Sequence, residues 1–143
     1  MKAVVPTKKE VAAKFAGGKH CAQCSLCPWA EELGYDEEEL LRLSAAFGGG
    51  MFRGDTCGAV SGSLMALGLA CGDDAAAVTK KTAEFQAAFA ERFGSTICRE
   101  LIGYDVSKPG EFEKAEASGI MLEFCPELVS FAVATMNEIL KDE

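Results

Sequence analysis

Seven cysteines, Cys21, Cys24, Cys27, Cys57, Cys71, Cys98 and Cys125, carry most of the chemical capacity of this chain. A thiolate can attack a disulfide, take up an oxidant or bind a soft metal. A chain of 143 residues needs no disulfide scaffold in order to fold. Residues 1–5 hold no apolar leader core, which leads us to expect a reducing cytoplasm. Seven thiols in that compartment point to redox chemistry or metal binding, although a single free cysteine is often just a small core residue.

The elements that must position these thiols read as helices. Thr7 with Glu10 makes a capping box for a first helix that stops at Gly17-Gly18. A second helical segment spans 20–33, and Pro28 must kink or restart it. Asp36 with Glu39 opens a third, in which Glu37-Glu38-Glu39 form a solvated first turn and Leu40, Leu43 and Phe47 share a face. Residues 48–56 are too rich in glycine for a helix and read as a loop. A fourth helix, near 57–71, is apolar all round and belongs at the centre, with small residues that admit another backbone. Asp73 or Asp74 caps a fifth that carries the core stripe Phe85, Phe89 and Phe93. Ser95 caps a short sixth over 96–102. The polar interval 108–119 reads as loop with one or two helical turns, and a last helix starts at Cys125-Pro126. We therefore expect one all-α domain over 1–143, a bundle of about six to eight short helices.

On these elements Cys21, Cys57, Cys98 and Cys125 all fall at helix starts. Unpaired N–H groups and the helix dipole favour the thiolate there. Ser, Thr, Asp or Asn would cap better, so packing gives no reason for cysteine at these places. If the four starts converge, two thiols with Cα atoms within about 7 Å can cycle between dithiol and disulfide. Cys57, after the glycine loop, is the expected reactive thiol, with Cys98 or Cys21 as its partner. Arg53 is the expected contact for a thiolate or an anionic substrate.

The segment Cys21-Ala22-Gln23, the ending Ala30-Glu31-Glu32-Leu33-Gly34, the run Phe47-Gly48-Gly49-Gly50-Met51 and the block Cys57-Gly58-Ala59-Val60-Ser61-Gly62 resemble the C-GCAxxG-C-C family of redox-active proteins. So do Ile97-Cys98-Arg99-Glu100-Leu101, Gly103-Tyr104-Asp105 and Cys125-Pro126. The resemblance runs in order from about residue 20 to the end and leaves the helix within 1–19 outside it. It implies that Cys21, Cys57, Cys98 and Cys125 are the signature thiols, without fixing a reaction. An oxidoreductase-like activity and an accessory role beside a transport system both accord with it.

Cys24, Cys27 and Pro28 depart from that family pattern. The run Cys21-x-x-Cys24-x-x-Cys27 with a remote Cys125-Pro126 is also how ferredoxin-like clusters are ligated. On a regular helix three such sulfurs fan over about 120° and diverge, so a cluster needs the segment to loop. The alternative reading is thus a metal site, iron–sulfur or zinc, on Cys21, Cys24, Cys27 and Cys125. The four helix-start sulfurs Cys21, Cys57, Cys98 and Cys125 also suit zinc or iron by number, but only the 21–24–27 run has the close spacing usual for zinc.

Other features narrow the classes. A net charge of −8 and pI near 4.7 argue against nucleic acid and anionic membrane as partners, which leaves a redox partner or a small molecule. The longest nearly continuous apolar stretch, 64–71, is far shorter than the ~20 residues of a membrane span. His20, the only histidine, reads as a surface residue with some capacity as base or ligand. The 48–56 loop lacks the Gly-Lys-Ser/Thr ending of a P-loop. Cys71, at the far end of the fourth helix, reads as core.

Overall fold

Caps, glycines and prolines divide the chain where their chemistry requires. The computed structural model describes residues 1–143, and its regular elements are helices throughout. Helix α1 (Lys8–Ala16) begins at Thr7, whose hydroxyl accepts from the Glu10 N–H at 3.1 Å while the Thr7 N–H donates to Glu10 Oε1 at 3.1 Å. Helix α2 (Cys21–Leu26) then runs into a 3-10 turn (Cys27–Trp29) and the single turn α3 (Ala30–Leu33). The segment over 20–33, expected to kink or restart at Pro28, is three pieces. Pro28 has no N–H to continue the α ladder, and the chain tightens around it.

Helix α4 (Glu37–Leu43) starts at Asp36, which accepts from the Glu38 N–H at 3.2 Å. After the glycine loop come α5 (Gly58–Cys71) and α6 (Ala75–Phe93), the latter capped by Asp74 on the Ala77 N–H at 3.0 Å. Helix α7 (Cys98–Ile102) starts two residues later than expected, because Thr56 and Ile97 pair in an isolated antiparallel bridge. Ser95 caps the turn before it, accepting from the Ile97 N–H at 3.0 Å. The polar interval is more helical than its composition suggested: α8 (Glu111–Ser118) and α9 (Ile120–Glu123) occupy it and lead into α10 (Cys125–Ile139).

Two contacts organise the core. Helix α5 lies against α2 so closely that a Cβ on Gly58 would sit 2.7 Å from the Ala22 nitrogen, and one on Gly62 would collide with the Ala22 carbonyl. On the other side, Phe89 and Phe93 of α6 meet Phe131 of α10 edge-on, with ring centroids 6.2 and 5.1 Å apart. Trp29, Phe85, Leu67, Leu128 and Met136 complete the fully buried centre. The N-terminal segment is tied to α10: Ala3 N–H donates to Asn137 Oδ1 at 2.8 Å and Asn137 Nδ2 to the Ala3 carbonyl at 2.9 Å.

By length and composition, the segment Ile120–Ile139 is the one long and apolar enough to cross a membrane, rather than 64–71. Here its apolar side packs on α1, α2, α5 and α6. The chain bends inside it at Phe124, where φ is −106° and ψ is −45°.

The close α2–α5 approach makes a paired prediction. Gly62→Ala forces backbone against backbone and should destabilise by roughly 1–3 kcal/mol. Gly68→Ala, in the same helix with open space around it, should stabilise by about 0.5–1 kcal/mol. Urea unfolding of both variants checks the pair. Equal effects would mean that α2 and α5 do not touch in this way.

Candidate functional site

The bundle brings four cysteines to one cavity. Cys21 opens α2, Cys57 caps α5, Cys98 opens α7 and Cys125 opens α10, and all four line a space of about 600 Å³. Backbone contacts bring them there. The Cys57 N–H donates to the Thr96 carbonyl at 2.8 Å and the Cys98 N–H to the Asp55 carbonyl at 2.6 Å, so the starts of α5 and α7 are stitched together. Arg99 Nη1 holds the same join through the Gly54 carbonyl at 3.2 Å and Asp55 Oδ1 at 3.0 Å. Across α2, a Cβ on Gly58 would lie 2.9 Å from the Cys21 Cβ, which places Cys21 beside Cys57.

The protons are unevenly held among these thiols. Cys57 is drawn below the ordinary thiol value chiefly by a hydrogen bond from the Cys21 thiol. The Ala59 and Val60 N–H groups at the start of α5 add to this, against the cost of burial. Cys21, the donor, is pushed well above the ordinary value by its hydrogen bonds with Cys125 and Cys57, and then by burial. Cys98 is pushed up to about 12 by burial, reinforced by the charge of Cys57 and Cys125. The expectation that a helix start lowers a thiol pKa is thus met at Cys57 and reversed at Cys21 and Cys98. Helices α2 and α7 have six and five residues and offer few aligned dipoles. Desolvation and neighbouring sulfur outweigh them.

The walls are mainly apolar. Phe15 of α1, Phe112 of α8, Leu122 of α9 and Phe52 of the glycine loop enclose the space, and Lys19 and Glu116 are its charged side chains. Phe52, Phe112 and Leu122 remain 55%, 42% and 51% exposed, so they form the rim of the cavity. The sequence reading missed this wall. Its signal was an isolated Phe112 and the cluster Met121-Leu122 within and beyond a polar interval.

The loop ahead of Cys57 is wound left-handed. Gly49, Gly50, Met51 and Phe52 have φ of 54°, 64°, 58° and 56° in succession, and the turn closes with the Asp55 N–H on the Gly50 carbonyl at 3.1 Å. Only glycine fits position 50, because a Cβ there would strike the Asp55 backbone. Met51 and Phe52 hold a conformation that costs an L-residue roughly 1–2 kcal/mol. His20 supports the loop from below. Its Nε2–H donates to the Ala45 carbonyl at 2.9 Å, and its ring lies against Gly48 and edge-on to Phe52. Burial lowers its pKa, and Nδ1 has no hydrogen-bond partner.

The remaining candidates lie elsewhere. Arg53 is on the surface, its side chain 75% exposed and 3.8 Å from Asp55 Oδ2, and it does not line the cavity. Arg99, which the sequence reading did not single out, is the arginine that holds the site together. Cys24 and Cys27 line a separate pocket of about 230 Å³, where burial pushes each thiol up to about 11. The set Cys21, Cys24, Cys27 and Cys125 is therefore divided between two spaces. No three His, Cys, Asp or Glu side chains form a group that could hold a metal ion. Cys71 is buried at the end of α5, its thiol donating to the Leu67 carbonyl at 3.3 Å.

A family model described as "Putative redox-active protein (C_GCAxxG_C_C)" matches residues 19–139. No curated protein and no solved structure matches the chain.

Two outcomes follow from this geometry. Met51→Gly removes a strained backbone position whose side chain is 42% exposed, and should stabilise the protein by about 1 kcal/mol in urea unfolding. The raised Cys98 thiol keeps its proton when the unfolded chain has begun to lose the same proton near pH 9. Its contribution to stability is present below that pH and declines as pH rises towards 12. Thermal midpoints measured in reductant should therefore fall above pH 9, and less steeply in Cys98→Ala.

Proposed function

This chain belongs to the C_GCAxxG_C_C family, and from that premise we propose that it is a thiol–disulfide redox protein in which Cys57 is the attacking thiolate and Cys21 its partner. The observation that carries the reading is the adjacency of Cys21 and Cys57 at the α2–α5 contact, where Cys57 is drawn below the ordinary thiol value and Cys21 is pushed above it. The Cys57 thiolate attacks one sulfur of a substrate disulfide, and the leaving thiolate takes up a proton. The Cys21 sulfur then attacks Cys57, expels the second substrate thiol and closes a Cys21–Cys57 disulfide. Two thiols are oxidised and one disulfide is reduced to two thiols. The apolar walls favour an uncharged substrate group over the anion once expected at Arg53. Free thiols of this number suit a reducing compartment such as the cytoplasm. The dithiol reading is preferred to a cluster on Cys21, Cys24, Cys27 and Cys125 because those four cysteines are split between two spaces.

The test is iodoacetamide labelling with peptide mapping. Cys57 should be labelled first at pH 7, and Cys57→Ser should slow the fastest phase about tenfold or more. Cys98→Ser should leave that phase in place. On oxidation, a disulfide should join Cys21 to Cys57. Uniformly slow labelling of all seven thiols, or a disulfide between Cys98 and Cys125 in its place, overturns the assignment.

A further inference from the structure

We propose that Cys24 and Cys27 form a second dithiol–disulfide centre with its own pocket, independent of Cys57, that takes low-molecular-weight disulfides bearing a carboxylate. The two residues are three apart, Cys24 within α2 and Cys27 at its end, which sets their Cα atoms about 5 Å apart by helix geometry. That lies within the ~4.4–6.8 Å span that disulfides bridge. A regular helix leaves the Cβ atoms ~5–6 Å apart, somewhat too far for a bridge. Here the helix is already tightening. Cys27 begins the 3-10 turn, and Pro28 has no N–H to give the Cys24 carbonyl, so the turn can close further.

The surroundings fit an acidic thiol compound. The pocket of about 230 Å³ is separate from the large cavity, and Lys14 and Lys19 stand near both sulfurs. Of the carboxylates lining it, Glu10 is already engaged by the Thr7 N–H, and Glu37 faces Cys27. Cys27 is the more open of the two and Cys24 is 4% exposed, so the order of events is set by access. The Cys27 thiol, pushed up to about 11, gives up its proton as its sulfur attacks R–S–S–R, and that proton leaves on the first R–SH, so the step quickens as pH rises. Cys24 then attacks Cys27, releases the second thiol and leaves a Cys24–Cys27 disulfide. Two protein thiols give two electrons and two protons, and the external disulfide becomes two R–SH.

Glutathione disulfide is the probe, applied to the full chain in glutathione buffers, with alkylation, digestion and mass spectrometry. Cys21, Cys24 and Cys27 share the tryptic peptide between Lys19 and Arg42, so Cys21→Ser makes the assignment unique. The expected result is an internal Cys24–Cys27 bridge in this variant, and equally in Cys57→Ser. Cys24→Ser should trap glutathione on Cys27. In the Cys21→Ser background, Cys27→Ser should lower glutathione uptake by this peptide about tenfold, because the remaining Cys24 is both buried and pushed up to about 11. The proposal is overturned if Cys24 and Cys27 stay free in the wild-type protein at every buffer ratio. It is also overturned if Cys24→Ser traps nothing, or if Cys57→Ser abolishes the bridge. The Cys21–Cys57 bridge is read in the same wild-type digest as a link between two peptides, so either centre can fail without the other.

Discussion

Backbone-to-backbone contact between α2 and α5 is the constraint on which the rest of this molecule depends. Gly58 and Gly62 leave no side chain between the two helices, so the start of α5 rests on Cys21 and Ala22. A sulfur at the first residue of α2 and another at the cap of α5 are thereby neighbours. Only then can one thiol donate to the other. The bridge between Thr56 and Ile97 adds Cys98 to the same place, and the proline start of α10 adds Cys125. Segments far apart in the chain meet through main-chain geometry, and the sulfurs follow.

Within that cluster the division of labour is electrostatic. All four thiols are shielded from bulk water to some degree, which by itself disfavours thiolate everywhere. A single thiolate among them is stabilised if its neighbours keep their protons and point them inward. Cys57 has such a neighbour in Cys21 and two N–H groups from its own helix. Cys98 has burial and adjacent negative charge instead, and it holds its proton tightly. The left-handed loop supplies the mouth of the site with an aromatic rim, behind which Cys57 is 3% exposed.

Much of this was legible from residue types. Thr7 with Glu10, Asp36, Asp74 and the proline at 126 mark helix starts with local chemistry, and the all-α reading rests on them. The four helix-start cysteines were picked out by a rule that compares cysteine with better caps. What that rule could not supply was solvent. Burial is a property of the assembled fold, and it reverses the expected shift at Cys21 and Cys98. Arg53 looked suitable by proximity in sequence, but the left-handed turn swings it outward, and Arg99, on a different helix, does the holding. The helices over 111–123 were legible only as one or two turns within 108–119, because a few apolar residues among many polar ones make a pattern too short to show a period. Nor does spacing reveal that Cys21 opens into one space while Cys24 and Cys27 open into another.

The tie between Ala3 and Asn137 has a consequence for where the working unit ends. The region matched by the family begins at residue 19, yet α1 lies before it and contributes Phe15 to the cavity wall. The segment before α1 clasps α10, the helix whose first residue is Cys125. A fragment cut at the family boundary would open one side of its own chamber and loosen the helix that delivers a sulfur to it. In this chain the matched region and the mechanically intact unit have different boundaries.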